Sequence, residues 1–136
     1  MALLPLKSIE AINFSDLRRP QSPNTFLMTP PGWHGTVGDC AAPVFDRPWQ
    51  ETAIAWDAMI ARQSRVSEHN RSGDGRQRTY VQRTALVGFP DVITVEFVDL
   101  DGGQSSLIVY SRSQYGYSDI GANRRRVLAW IADVGA

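Results

Sequence analysis

Residues 92–113 constrain the fold more than any other part of the chain. Ile93, Val95 and Phe97 recur at every second position within residues 92–100, and Leu107, Val109 and Ser111 do the same within residues 105–113. A period of two places each set on one face of a strand. Asp101-Gly102-Gly103 lies between the two runs and is a hairpin signal. Two antiparallel strands are therefore expected, and each sheet face needs a cover.

Two helical stretches can supply that cover. Trp49, Ala53, Trp56 and Ile60 follow helical spacing within residues 48–62, and Ala55, Ala58 and Ala61 add helix propensity. Asp46 is the expected cap, with Pro48 in the first turn. A second helix is expected over residues 120–134, carrying Val127, Leu128, Trp130, Ile131 and Val134. Residues 65–69 read as a short strand, Ser72-Gly73-Asp74-Gly75 as a turn, and residues 78–87 as a longer strand. Gly88-Phe89-Pro90-Asp91 interrupts that strand, because proline cannot donate to a ladder. The expected fold class is α+β: a four-stranded antiparallel meander flanked by two helices in the order α-β-β-β-β-α, with both helices on one face.

Residues 18–48 contain Pro20, Pro23, Pro30, Pro31, Pro43 and Pro48. Proline removes backbone donors and disfavours helix at the preceding residue. This stretch reads as an extended Pro-rich N-terminal arm crossing the domain, with Phe26, Leu27, Met28 and Trp33 tucked into it. Residues 1–17 are weakly patterned and read as an N-terminal tail or short arm. A chain of 136 residues suits one domain, so residues 18–136 are expected to form a single α+β domain.

The charges exclude several function classes. Fourteen basic and fourteen acidic residues cancel, which argues against nucleic-acid binding driven by phosphate neutralisation. Lys7 is the only lysine and the other 13 basic residues are arginines, so Schiff-base and phosphate-loop lysines are excluded in practice. The arginine excess reads either as the codon usage of a GC-rich genome or as capture of carboxylate or phosphate. Cys40 stands alone, so no intrachain disulfide is available. No apolar run reaches the roughly 18 residues of a membrane span. The first six residues are too short for a signal-peptide core. A cytoplasmic protein is expected, or one of the cell envelope or periplasm if a leader is missing.

His34, Asp39 and Cys40 match no zinc spacing, and no G-x-S-x-G elbow or G-x-G-x-x-G turn is present. Neither a metal nor a cofactor is expected. Polar chemistry concentrates instead in residues 111–126. There a strand ends, a glycine turn follows, and a helix begins at Ser118 or Asp119, with Asp119 satisfying the first free N–H groups. Arg124 lies three and four residues before Val127 and Leu128, hence on the expected buried stripe. A buried guanidinium needs a partner, and Asp119, Asp91 or a bound anion would supply it, with Ser113 and Asn123 nearby. Arg125 points to solvent and Arg126 lies beside Trp130. Two readings follow. One is an Asp–Arg pair that fixes the strand-to-helix turn. The other is an anion site built from Arg112, Ser113, Arg124 and the helix start. The candidate ligand-binding set is Arg112, Ser113, Tyr115, Asp119, Asn123 and Arg124, and no residue is assigned as catalytic.

Tyr80-Val81-Gln82-Arg83-Thr84, Gly88-Phe89-Pro90-Asp91 and the run Ser111-Arg112-Ser113-Gln114-Tyr115-Gly116-Tyr117-Ser118-Asp119-Ile120-Gly121-Ala122-Asn123-Arg124-Arg125-Arg126 resemble the bacterial and plastid family called domain of unknown function 1499. Arg19-Pro20-Gln21-Ser22-Pro23-Asn24 is similar to its proline-asparagine start, and the resemblance covers about residues 18–134. Many members place a cysteine near that Pro-Asn pair, where this chain has Ser22 and Thr25. Members often follow a signal or membrane anchor, which implies the bacterial cell envelope or the thylakoid lumen. Two function classes follow. The first is a non-enzymatic binding or accessory module of the envelope, holding a small anionic or amphipathic ligand or a protein partner. The second is a small hydrolase-type enzyme using Asp119, Ser113 or Tyr115 near Arg124.

Overall fold

The hairpin forms where the alternation places it. Strands β5 (Pro90–Asp99) and β6 (Ser105–Ser113) pair antiparallel from Asp91↔Ser113 to Asp99↔Ser105. A single 3-10 turn joins them, and Gly102 and Gly103 hold φ at 73° and 76°, values that side chains disfavour. Ile93, Val95, Phe97, Leu107 and Val109 are all buried on one face. The computed structural model describes residues 4–135 of the chain.

The remaining elements, in chain order, are β1 (Thr25–Thr29), β2 (Cys40–Ala41), α1 (Trp49–Ala61), β3 (Val66–Arg71), β4 (Gln77–Arg83) and, after β6, α2 (Ala122–Gly135). The sheet order is β2-β1-β6-β5-β4-β3. Strands β3 to β6 pair with their chain neighbours antiparallel. The expected four-stranded meander is nonetheless incomplete, because the sheet is mixed and has six strands. β1 lies antiparallel beside β6, and β2 lies parallel to β1. The arm therefore supplies two strands. Its prolines flank residues 25–29 without entering them, so β1 keeps its ladder donors. Phe26 and Met28 face the helices while Leu27 faces the other way, the alternation of a strand buried on both sides.

Two boundaries differ from expectation for local reasons. β4 stops at Arg83 and does not reach residue 87. The Thr84 hydroxyl accepts the Phe89 N–H at 2.9 Å, the Gly88 N–H bonds the Thr84 carbonyl, and Gly88 takes φ 77°. This closed turn leaves Leu86 89% exposed. α1 starts at Trp49 with Pro48 at the cap position and no side-chain cap, so Asp46 does not cap it.

Both helices cover one sheet face. Trp56 of α1 is the centre of that layer. Its indole N–H donates to the Tyr80 hydroxyl at 3.0 Å, and its ring meets Phe97 and Trp130 edge-on at 6.1 and 6.0 Å. Such aromatic pairs add roughly 0.5–1.5 kcal/mol beyond area burial. On the opposite face, residues 4–17, expected as a tail or short arm, lie across the sheet. Phe14 is 2% exposed and packs with Leu27, Ile108 and Tyr110. Gln77 grips this segment through both Ile12 backbone groups, at 2.7 and 3.0 Å.

A strand inside the sheet gives the arm a testable weight. Leu27 is fully buried between β6 and β2. Leu27→Ala should lower stability by about 2–5 kcal/mol. Val37→Ala, at an 85% exposed position, should stay within about 0.5 kcal/mol. Urea unfolding of both variants measures the difference.

Candidate functional site

The polar run after β6 folds into a junction between strand and helix. Asp119 accepts the N–H groups of Gly121 and Asn123 at 2.8 and 3.0 Å. Ile120 and Gly121 take φ 53° and 79°, so the helix begins at Ala122, later than the expected start between Ser118 and residue 120. Partial burial works against the Asp119 carboxylate, but the hydrogen bonds from Asn123 and Gly121 outweigh it and hold the carboxyl below its ordinary value.

Asn123 is fully buried at the centre of this junction. Its two Nδ2 hydrogens are shared among the Asn24 carbonyl, the Ser113 hydroxyl and Asp119 at 2.9, 3.0 and 2.7 Å. Its Oδ1 accepts from the Ser111 hydroxyl at 2.6 Å and from Arg126 at 2.8 Å. Arg126 also reaches Gln82, the Ser111 hydroxyl and, at 2.6 Å, Asp91. The Arg126 and Asp91 side chains are 10% and 5% exposed. An Asp–Arg pair thus fixes the strand-to-helix turn, but its arginine is Arg126.

Arg124 does not lie on the buried stripe, and the Asp–Arg pair does not form through it among the described residues. The buried stripe of α2 is Asn123, Val127, Trp130 and Val134. Leu128 is 41% exposed, so a residue four positions before it faces outward. Arg124 lies over the Phe26 ring at 5.5 Å and forms no ion pair among the described residues. It lines a shallow depression with Asp39, Asp119 and Thr25.

The other expected site residues do not gather into one anion site. Arg112 lies on the opposite face of the sheet, over the Tyr110 ring at 4.8 Å, and donates to the Thr94 hydroxyl at 2.9 Å. Burial pushes its guanidinium down to about 10. Ser113, Tyr115 and Asp119 share a depression of about 340 Å³ with Phe89 and Ile120. The Ser113 hydroxyl already receives Asn123, and the Tyr115 hydroxyl donates to the Pro5 carbonyl at 2.6 Å. Burial raises the Cys40 thiol above its ordinary value, which disfavours the nucleophilic thiolate. Among the described residues no three of His, Cys, Asp and Glu come together as metal ligands.

A second feature lies beside the junction and was not legible as a site. Residues 84–88 close over the edge of β3 and β4 to leave an open groove of about 530 Å³. Val66, Val81, Ala85, Leu86 and Val87 give it apolar walls, and among the described residues Arg65 and Arg83 are its only charged lining residues. Arg83 donates to the Leu4 and Gly88 carbonyls, and Arg65 donates to the Arg83 carbonyl at 2.9 Å. Neither arginine forms an ion pair among the described residues. Val81, Arg83, Thr84 and Gly88 belong to two of the stretches that carry the family resemblance, but neither stretch has the form of a ligand-binding motif. The apolar run 85–87 before Pro90 is a further signal, and it reads as the end of a longer strand over residues 78–87.

Two measurements separate this geometry from the expected one. Arg126→Ala should lower stability by about 3–5 kcal/mol, because Asp91 would remain buried and unpaired, whereas Arg124→Ala should cost at most about 1 kcal/mol. Thermal melts of the two variants check this. The Asp119 cap adds a pH signature. A carboxyl held below its usual value contributes fully above the ordinary range near pH ~4, and its contribution is lost as pH falls further. Asp119→Ala should cost about 0.5–2 kcal/mol at neutral pH and flatten the acid limb. Asp119→Asn should keep the cap and still flatten it. Chemical denaturation at neutral and acid pH resolves both.

The four stretches that carry the family resemblance converge on this junction, through Asn24, Gln82, Asp91 and residues 111–126. A family model described as protein of unknown function (DUF1499) matches residues 18–134. No curated protein and no solved structure matches the chain. The family match runs from before β1 to one residue short of the end of α2, and the chain belongs to the DUF1499 family.

Proposed function

We propose that the protein is a non-enzymatic binding module of the cell envelope that holds a small anionic amphiphile in the groove beside β3 and β4. The observation that carries this reading is the lining itself. Apolar walls remove an alkyl or acyl chain from water, and Arg65 and Arg83 offer guanidinium donors suited to a carboxylate or phosphate. Among the described residues no acid in the lining opposes an anion. A volume of about 530 Å³ falls within the usual range for small-ligand sites. The envelope location rests on the family resemblance and not on the groove.

The hydrolase reading finds less support. A nucleophilic hydroxyl needs a base within hydrogen-bond reach, and the Ser113 hydroxyl meets the Asn123 amide. Asp119 is a weakened base, because its carboxyl is held low and its oxygens already accept from the helix start. The geometry therefore favours holding a ligand over transforming it.

Dodecyl phosphate below its micellar concentration is a suitable probe. It should bind with a favourable heat signal in titration calorimetry and raise the melting temperature. Arg65→Glu should weaken binding at least roughly tenfold, the usual scale for losing a charge-assisted contact. Ser67→Trp, which fills the groove from β3, should abolish it. Equal affinity of both variants and the parent would sink the proposal.

A further inference from the structure

The loops at the end of the sheet that carries the junction expose apolar side chains that the fold has no use for. Leu86 is 89%, Ile120 84%, Tyr117 74% and Val87 49% exposed, and Phe89 stands beside them at 38%. They come from two separate loops, residues 84–89 and 114–121. These loops lie side by side, because Thr84 and Phe89 share one depression with Ser118 and Ile120. Scattered exposed apolar residues are ordinary, whereas a contiguous cluster marks a contact surface.

Ile120 sharpens the argument. It is β-branched, yet its φ is 53°, a conformation that favours glycine or asparagine. Fold stability alone would not select isoleucine there, either for its backbone or for its exposure. The residue is held outward by its neighbours: the Ser118 hydroxyl accepts the Ile120 N–H, and Arg125 donates to the Ile120 carbonyl at 2.7 Å.

Charge identifies the occupant. Arg125 sits against Ile120, Arg65 and Arg83 flank the turn bearing Leu86 and Val87, and Lys7 lies over the Tyr115 ring at 4.3 Å. None of these cations forms an ion pair among the described residues. The nearby acids are committed, Asp91 to Arg126 and Asp119 to the helix start. Protruding aliphatic and aromatic side chains ringed by unpaired cations match a negatively charged lipid interface, where the apolar tips enter the acyl boundary and the cations meet phosphates. We propose that this rim docks the protein on an anionic lipid bilayer. The rim shares Leu86, Val87, Arg65 and Arg83 with the groove, whereas Tyr117 and Ile120 do not line it, so substitutions at those two positions act on the rim alone.

Co-sedimentation with vesicles of equimolar phosphatidylglycerol and phosphatidylcholine tests it, with pure phosphatidylcholine vesicles as the reference. The full chain should pellet with the anionic vesicles, less so as salt is raised, and weakly with the neutral ones. Ile120→Asn relieves the backbone and removes the apolar tip, so its melting temperature should hold or rise while vesicle affinity falls roughly tenfold. Tyr117→Ser should lower affinity without touching the fold, and the double variant should not pellet. Dodecyl phosphate binding by these variants should stay at the parental level, which separates failure of the rim from failure of the groove. Three outcomes overturn the proposal: no binding to anionic vesicles, undiminished binding by the double variant, or a dimer in vesicle-free solution that the same substitutions disperse.

Discussion

A buried amide at Asn123 needs partners on every side, and meeting that need shapes one end of the molecule. Its carboxamide offers two donors and one acceptor with two lone pairs, and none of these can be left unmet in the core without a penalty of roughly 1–3 kcal/mol. The carbonyl of Asn24, the hydroxyls of Ser111 and Ser113, the carboxylate of Asp119 and the guanidinium of Arg126 answer it. The answering groups come from four separate parts of the chain: the entry to β1, the end of β6, the turn, and α2. Packing alone would let α2 slide or rotate on its apolar stripe. The amide fixes both its register and its rotation, because a shift of one residue would strand several buried polar groups together.

The same network explains why β1 joins the sheet. Asn24 gives its carbonyl to Asn123 and to the Ser113 N–H at 3.0 Å, and its own amide holds the Gly116 carbonyl at 2.8 Å. These contacts set the chain beside β6 one residue before β1 begins. From there Phe26 and Met28 enter the helix-side core and Leu27 the opposite one. Pro23 lies just before this anchor and Pro30 just after the strand, so prolines delimit β1 and leave its ladder intact.

The parts of this structure legible in the sequence are those in which one physical pattern acts alone. The hairpin of β5 and β6 is set by period-two burial and a glycine turn, and its register follows the alternation. Trp56 and Trp130 lie where helical spacing placed them. The rest involves competing patterns. On α2 both Val127 and Leu128 are apolar, so hydrophobicity leaves the phase ambiguous by about 100°. The residue that decides it, Asn123, is polar and invisible to a hydrophobic count. Arg124 and Arg126 exchange roles as a consequence. Strand β1 was hidden among prolines, whose individual meaning depends on position. The groove was hidden because the apolar residues Leu86 and Val87 read as the end of a longer strand, while the turn made by Thr84 and Gly88 takes them out of the ladder.

These distinctions bear on where function resides. The residues that make the family recognisable are polar, and a polar cluster in a sequence invites a catalytic reading. In the fold they are consumed by one another: Asp91 by Arg126, Asp119 by the helix start, Ser113 by Asn123. A satisfied network of this kind specifies a unique structure and has little left to offer a substrate. What it positions is different in character. By fixing the strand-to-helix turn it holds Tyr117 and Ile120 outward, beside the turn that carries Leu86, Val87 and Phe89. The polar junction builds the platform, and the groups left free to meet another molecule are apolar tips and unpaired arginines. A surface of that composition, and not the density of serines and aspartates, is what the proposed binding of amphiphiles rests on.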